Sequence, residues 1–307
     1  VQTQIEGIKA GVDENTTIDY EFMDTKRFRT DEWLHMFHDM LKYHLENTDP
    51  YDVVIVGDDA ALQFAMEYRE ELFPEIPVVF EGVNDEEYAM KAAENPLMTG
   101  IIEKLSVEKN IDMALKVNPT ADKVVAILDD SVTADAERKN FYNSAENYPE
   151  LEFSEINAAE LETARLQQAI SKVDDKTILI YIVMSKDGSG KQYTSDQALC
   201  MIVDYAEVPV YRMVEAGIGD GLLGGNVVSM YKSGEIAAQM AMDIANGTDS
   251  AEINVVKDSP NIYCVDEDVV RKFGLEASQF PKDTEFVNHR ENFFVRNREA
   301  LIPALIL

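Results

Sequence analysis

The chain has 307 residues, 46% of them apolar, which is enough to bury the core of one large domain or of two medium ones. Its 58 acidic and 27 basic side chains give a formal charge of −31 at pH 7. Because this charge repels phosphate backbones and anionic lipid headgroups, the composition argues against binding to nucleic acid or to anionic lipid surfaces. The two cysteines, Cys200 and Cys264, are too far apart for a C-x-x-C site and too few for a disulfide scaffold.

The first half of the chain alternates between helical and strand-like segments, but it opens on a helix. Val1, Ile5, Ile8 and Val12 form an apolar stripe with helical spacing. A doubly wound domain normally begins with a strand, so we expect a first strand upstream whose loop helps to line a ligand cleft. After this helix the patterns predict strands at 18–24, 51–59 and 77–84, and helices at 30–47 and 60–73.

The second half continues the same alternation. The patterns predict strands at 123–130, 151–157, 177–185 and 208–214, and helices at 132–147, 159–173, 195–206 and 234–247. Repeated βα units with right-handed crossovers build parallel sheets with helices on both faces. Together with a bridging segment near residues 100–106, this order predicts an α/β protein with two doubly wound, parallel-sheet lobes joined by a hinge.

Three glycines have the G-x-G-x-x-G spacing of a dinucleotide-binding loop, namely Gly219, Gly221 and Gly224. In such a loop a helix follows the glycines at once, with its N-terminus on the pyrophosphate. Here the preceding strand ends several residues earlier, strand-like residues follow Gly225, and the next helix begins near Gly234. The context therefore indicates tight turns or a close backbone approach rather than nucleotide binding.

A resemblance to a known family covers nearly the whole chain. Residues 208–247 read VPVYRMVEAGIGDGLLGGNVVSMYKSGEIAAQMAMDIANG, and this stretch resembles the ABC-type solute-binding proteins of the type I periplasmic fold. It is similar to the branch that includes aromatic amino-acid binders, with V-P-x-Y, then G-x-G-x-x-G-G, then an Ala-rich helix with a terminal glycine. Four other segments are similar to the version fused to membrane sensor proteins: FMDTKR, VIVGDDAALQF, FPEIPVVFEGVN and the tail VVRKFGLEASQFPKDTEFVNHRENFFVRNREALIP.

The resemblance implies a domain organisation and two alternative roles. Lobe one is expected at residues 1–102 plus 229–275, lobe two at 103–228, and a C-terminal connector toward a membrane segment at 276–307. The first role is an extracytoplasmic sensor domain of a bacterial signalling protein, tethered to the cytoplasmic membrane, which closes its two lobes on a small-molecule ligand. The alternative is the solute-binding protein of an ABC importer, which is expected to end sooner. The sequence leaves open whether the protein forms a homodimer.

Ligands of open parallel sheets bind beyond the carboxyl ends of the strands, and this rule selects candidate binding residues. In lobe one the candidates are Asp58, Asp59, Glu81 and Asn84. In lobe two they are Asp129, Asp130, Ser131, Ser185, Lys186, Arg212 and Glu215. Such polar sets suit a small polar metabolite, and an amino acid, a sugar and a nucleoside all remain open as the ligand.

Several of these candidates have a structural alternative. An Asp or Ser directly after a strand often caps the next helix, which applies to Asp59 and Ser131. The alternative for Arg212 is an ion pair with Glu215 or another carboxylate. Lys186 lies in a Gly/Ser loop, where lysines are usually solvated. Glu81 is harder to explain as a helix cap.

Catalytic and metal-binding patterns do not stand out. The Gly-Ser-Gly at residues 188–190 lacks the frame of a nucleophile elbow. His35 and His38 are one helical turn apart, but metal binding needs further ligands and a supporting shell. We therefore expect a binding protein rather than an enzyme, with no cofactor and no metal.

Overall fold

The computed structural model describes residues 2–25, 28 and 30–289. Its helices are α1 (Gln2–Gly11), α2 (Asp31–Asn47), α3 (Asp59–Glu67), α4 (Arg69–Leu72), α5 (Glu86–Ala92), α6 (Val107–Val117), α7 (Val132–Ser144), α8 (Thr163–Ser171), α9 (Ser195–Tyr205), α10 (Met230–Ala245) and α11 (Glu267–Lys272). Its strands are β1 (Val54–Gly57), β2 (Val78–Val83), β3 (Met98–Ile102), β4 (Lys123–Leu128), β5 (Glu152–Asn157), β6 (Thr177–Tyr181), β7 (Val210–Arg212), β8 (Gly224–Val227), β9 (Ile262–Asp266) and β10 (Glu285–Val287).

These elements form two compact α/β units. Unit 1 contains residues 1–105 and 228–261, and unit 2 contains residues 106–227 and the chain from residue 262 onward. In both units the sheets are mainly parallel and the helices follow the strands in alternation. The α/β class with parallel sheets, expected from the repeated βα pattern, is therefore confirmed.

Unit 1 is built on a parallel sheet with the strand order β1-β2-β3. All six residues of β2 are buried, as expected of a parallel strand covered on both faces. One face packs against a cluster that includes Phe37 of α2 and Phe64 of α3. The other face packs through Val79 and Ile101 against α10.

Unit 2 is built on a seven-stranded sheet with the order β10-β9-β8-β7-β6-β4-β5. The pairing of β8 with β9 is antiparallel, and the other neighbours are parallel. The interior strand β6, between β7 and β4, buries all five of its residues. Its side chains pack with Leu166 of α8 and Ile202 of α9 in one apolar cluster.

The C-terminal part of the described chain differs from the expected division into lobes. Residues 262–275 were expected in lobe one, but β9 pairs along its length with β8, so this segment belongs to unit 2. Residues 276–287 were expected in a connector, but β10 pairs with β9 and extends the same sheet. Backbone pairing between distant segments decides both placements, and residues 290–307 lie outside the described part of the chain.

Residues 18–24 were predicted to form a strand, and this prediction is wrong for the structure described. The segment has no regular secondary structure, and Phe22 is 59% exposed. The sequence there is strand-like, with alternating apolar and polar residues, so its local preference is not the cause. A strand needs a hydrogen-bonded neighbour, and the described part of the chain supplies none beside this segment.

The glycine-rich loop leads into a strand, as its sequence context predicted. β8 begins at Gly224, which pairs with β7 on one side and β9 on the other, and α10 begins only at Met230. A Cβ atom on Gly224 would lie 2.1 Å from the carbonyl oxygen of Cys264. A Cβ on Gly225 would lie 1.8 Å from Asn110 Oδ1 and 2.5 Å from the carbonyl oxygen of Arg212. These glycines permit close backbone packing in the sheet of unit 2, so the expected close backbone approach is confirmed for Gly224.

Candidate ligand-binding site

Glu81 occupies the carboxyl end of β2 in unit 1 and is almost fully buried, with 2% of its surface exposed. Gln4 of α1 donates from Nε2 to both carboxylate oxygens, at 3.1 and 3.2 Å. Glycines on both sides leave room for this arrangement, since a Cβ on Gly57 would lie 2.9 Å from Glu81 Oε1, and one on Gly82 would lie 3.2 Å from Gln4 Nε2. The sequence rule located Glu81, but its contact with Gln4 could not be inferred from a separation of 77 residues.

Burial raises the pKa of Glu81 to about 7. The hydrogen bond from Gln4 acts in the opposite direction, and the neighbouring Asp58 carboxylate adds to the increase. An acid with this pKa exchanges its proton near neutral pH, and a bound cation beside it would favour the ionised form. Glu81 is therefore the candidate in unit 1 whose protonation is most readily coupled to a ligand.

Asp58 and Asp59 follow β1 and take different places. Asp58 has a positive φ of 86°, and its backbone N–H donates to the carbonyl oxygen of Glu81. Asp59 Oδ1 accepts from the backbone N–H groups of Asn84 and Asp85, both at 3.1 Å. The Asp59 carboxylate therefore joins the start of α3 to the loop after β2. The sequence suggested a helix cap or a ligand contact for Asp59, and this contact is neither of them.

Asp129 at the carboxyl end of β4 has no exposed surface. It accepts from the backbone N–H of Ser131 and from the backbone N–H and hydroxyl of Ser185, the latter two at 2.7 and 2.6 Å. Burial alone would raise its pKa, but these hydrogen bonds outweigh burial and hold the pKa below its usual range. Asp129 and Ser185 thus bind each other and join the ends of β4 and β6.

Ser131 and Lys186 also have partners within unit 2. Ser131 Oγ accepts from the backbone N–H of Ala134 and caps α7, as the structural alternative proposed. Lys186 Nζ lies 2.9 Å from Asp130 Oδ1 in an exposed ion pair. Exposed pairs of this kind add little to stability, so both side chains can exchange their partner for a ligand at small cost.

We expect Ser131→Ala to lower the free energy of unfolding by about 1 kcal/mol, because it removes the N-cap of α7. Ser131→Asp should retain nearly all of the stability, since Asp caps a helix as well as Ser does. Urea unfolding followed by circular dichroism measures both variants. Equal losses in the two would show that capping is not what Ser131 contributes.

Arg212 at the carboxyl end of β7 is held by backbone carbonyl groups. Nη1 donates to the carbonyl oxygens of Tyr181 and Ile182, and Nε donates to that of Ala216. The guanidinium also lies 4.2 Å from the centre of the Tyr181 ring. Neutral carbonyl oxygens accept these hydrogen bonds, so the guanidinium keeps its positive charge at this edge of unit 2, where it favours an anionic group. Sequence reasoning did not identify Tyr181, whose position at the end of β6 was the available signal.

The structure therefore groups the candidates by unit. Asp58, Asp59, Glu81 and Asn84 lie together at the carboxyl ends of β1 and β2 in unit 1. The candidates of unit 2 lie at or just after the carboxyl ends of β4, β6 and β7, and they are Asp129, Asp130, Ser131, Ser185, Lys186, Arg212 and Glu215. The charged members of the unit 1 set are all acidic. The two cationic candidates, Lys186 and Arg212, both lie in the unit 2 set.

Two α/β units with mainly parallel sheets have the fold of the type I periplasmic class. Comparison with known proteins gives the family. Residues 5–279 match the model of the ABC transporter substrate binding proteins, and the chain belongs to this family.

Individual relatives are distant in sequence. A protein named tyrosine-binding protein from Clostridioides difficile is 20% identical over 207 residues, which is 66% of this chain and 58% of the relative, less than two thirds of its length. Two solved structures are similar in fold. An ABC domain in complex with L-Trp from Streptococcus pneumoniae has a TM-score of 0.61 at 15% identity, covering 93% of this chain and 95% of its own. A ligand-free, open substrate binding protein from Clostridium difficile has a TM-score of 0.67 at 16% identity, covering 94% of each chain.

Proposed function

We propose that this chain is the solute-binding component of an ABC importer and that its ligand is an amino acid with an aromatic side chain. The observation that carries this proposal is a pair of opposite charges, the Glu81 carboxyl group at the carboxyl end of β2 in unit 1 and the Arg212 guanidinium at the carboxyl end of β7 in unit 2. An amino acid is a zwitterion, with an ammonium group that suits Glu81 and Asp58 and a carboxylate that suits Arg212. The family match supports the importer role, and the relatives named for tyrosine and L-Trp support the choice of side chain.

The mechanism proposed for binding is a shift between conformations. A ligand that contacts both polar sets binds better to the arrangement in which both reach it, and it stabilises that arrangement by the difference in affinity. Binding, rather than catalysis, is therefore the activity, and we propose that it takes place outside the cytoplasm. X-ray scattering with and without ligand tests the shift, and equal radii of gyration would contradict it.

A sensor domain remains the second candidate, and it rested on residues 276–307 as a connector to a membrane. Residues 276–287 instead complete the sheet of unit 2, which removes part of that argument. Among the helices that the structure describes, none combines the length and the apolar character needed to cross a bilayer. A membrane-spanning segment followed by a signalling domain after Leu307 would favour the sensor, and a stop codon there would favour the importer.

We expect L-tyrosine, L-tryptophan or L-phenylalanine to raise the melting temperature of the protein, while sugars and nucleosides leave it unchanged. A ligand at 100 times its dissociation constant stabilises the folded state by about 2.7 kcal/mol. The Arg212→Gln variant is the matched control, since it removes the charge proposed for the ligand carboxylate. A shift produced by a sugar or a nucleoside alone would contradict the amino-acid assignment, and an equal shift in Arg212→Gln would contradict the role of Arg212.

A further inference from the structure

A groove of about 430 Å³ lies in unit 2 between α8 and α9. Its volume is within the roughly 300–1,000 Å³ of small-molecule pockets. The walls come from Thr163 and Gln167 of α8, from one side of α9, and from the loop that precedes α9. None of the candidate residues at the carboxyl ends of the strands lines this groove, so it is separate from the site described above.

An aromatic ring at one end of the groove has a cation of the same chain on it. Lys191 Nζ lies 4.5 Å from the centre of the Tyr193 ring, within the range of about 6 Å for a cation–π contact. The Tyr193 hydroxyl donates to the buried Asp187, which also accepts from Thr163. Burial alone would raise the pKa of Asp187, but its hydrogen bonds outweigh burial and hold the pKa well below its usual range. The ionised carboxylate polarises the phenol and strengthens the attraction of its ring for a cation.

Two carboxylates line the groove along α9. Asp196 lies in the first turn of the helix and Asp204 in the last, about 12 Å apart along the axis at 1.5 Å per residue. Among the described residues, the ion pairs of unit 2 involve other carboxylates. In this part of the chain, therefore, neither Asp196 nor Asp204 has a cationic side chain within ion-pair distance.

The position of Asp204 is unfavourable for a carboxylate in the absence of a cation. The last carbonyl groups of a helix give its C-terminus a partial negative charge, and α9 has no basic residue in its last turn. Tyr205 beside it lines the groove with a ring that is 38% exposed. Met201 adds apolar surface between the two ends. Both ends of the groove therefore combine a carboxylate with an aromatic ring, and this combination favours ammonium groups.

We propose that this groove binds a linear polyamine that has an ammonium group at each end. One ammonium group lies on the Tyr193 ring beside Asp196, and the other lies beside Asp204 and Tyr205. Lys191 occupies the first position while the ligand is absent and leaves the ring when the ligand binds. A polyamine suits the groove because apolar methylene groups separate its charges. In extended spermidine the terminal ammonium groups are about as far apart as the two carboxylates are along the helix axis.

Isothermal titration calorimetry with spermidine tests the proposal, at about 0.15 M salt so that long-range attraction is screened beyond about 8 Å. We expect the double variant Asp196→Asn/Asp204→Asn to bind spermidine at least about fivefold more weakly than the wild type. The matched control is Glu150→Gln/Asp175→Asn, which removes the same charge from exposed positions of unit 2 outside the groove and should change the affinity less than about twofold. Equal losses in the two variants would mean diffuse attraction to a chain of charge −31 and would overturn the proposal, as would the absence of spermidine binding.

A second pair of variants tests the place given to Lys191. Lys191→Gln should bind spermidine about threefold more tightly, because it removes the cation that competes for the Tyr193 ring. Lys116→Gln, at an exposed lysine of α6, is the control and should leave the affinity nearly unchanged. Equal effects of the two lysine variants would overturn this part of the proposal. Binding of an oligolysine peptide but not of spermidine would overturn the polyamine assignment, because the groove would then take a protein segment. The titration uses no amino acid, so its outcome is separate from that of the ligand screen.

Discussion

Gly225→Ala is expected to destabilise unit 2 by about 3–5 kcal/mol. Its Cβ would lie 1.8 Å from Asn110 Oδ1 and 2.5 Å from a backbone oxygen, so neighbouring atoms must move. Asn110 has no exposed surface and exchanges hydrogen bonds with the backbone N–H and carbonyl of Asn226, at 3.0 and 2.8 Å. Displacing it adds the cost of unpaired buried backbone groups, about 1–3 kcal/mol each, to overpacking of similar size.

The matched control is Gly190→Ala, also in unit 2. Gly190 has a positive φ of 82° and no atom within 4 Å of the added Cβ, so only backbone strain of about 1–2 kcal/mol is expected. Chemical unfolding followed by circular dichroism, with hydrogen exchange over β7 and β8, measures both variants. In a double-mutant cycle Asn110→Ala should offset part of the loss in Gly225→Ala, because it removes the clashing atom. Equal losses at Gly225 and Gly190, or strict additivity with Asn110, would show that close packing is not the function of this glycine.

Local sequence patterns were sufficient to predict most elements of the fold. The errors occur in segments whose structure depends on pairing with strands that are distant in the sequence. The helical spacing of Phe37, Leu41 and Leu45 gave α2 nearly to the residue, because the apolar stripe and the cap at Thr30 lie within the helix itself. Segment 262–287 was misplaced because β9 depends on pairing with β8, which a local pattern does not reveal. Residues 18–24 have the composition of a strand, but a strand also depends on its neighbour.

The candidate site shows the same limit. The rule that ligands bind at the carboxyl ends of parallel strands selected Glu81 and Arg212. It could do so because a parallel sheet places these positions at one edge, independently of the contacts that their side chains make. It could not separate residues such as Asp129, whose oxygens accept hydrogen bonds from Ser185 on another strand, from residues available to a ligand. Gln4 was not proposed, because only the packing of α1 brings it to Glu81. Positions were therefore predictable, whereas hydrogen-bond partners required the tertiary structure.

Unit 1 of the wild type is expected to lose about 3 kcal/mol of stability, relative to Glu81→Gln, as the pH rises from 4.5 to above 7. Burial raises the pKa of Glu81 to about 7 in the folded protein, whereas an unfolded glutamate has its ordinary pKa of 4.5. Between these two values the folded state binds the proton more tightly, so stability is full below the lower pKa and falls as the pH passes the higher one. One pKa unit corresponds to about 1.4 kcal/mol, which sets the size of the effect. Glu81→Gln cannot ionise and lacks this contribution.

The fluorescence of Trp33 follows unit 1 specifically, because it is the single tryptophan of the chain and lies in α2. The wild type and Glu81→Gln share all other acidic groups. Subtracting the urea-unfolding free energy of one from that of the other at each pH therefore removes the general repulsion of a chain with charge −31.

Gln4→Ala supplies the second variant. Without the hydrogen bond from Gln4 to the carboxylate, the pKa of Glu81 should rise, and the midpoint of the difference curve should move to higher pH. A difference curve that is flat between pH 4.5 and 8 would contradict the raised pKa. A midpoint unaffected by Gln4→Ala would show that this hydrogen bond does not stabilise the ionised form, and burial alone would then account for the protonation of Glu81.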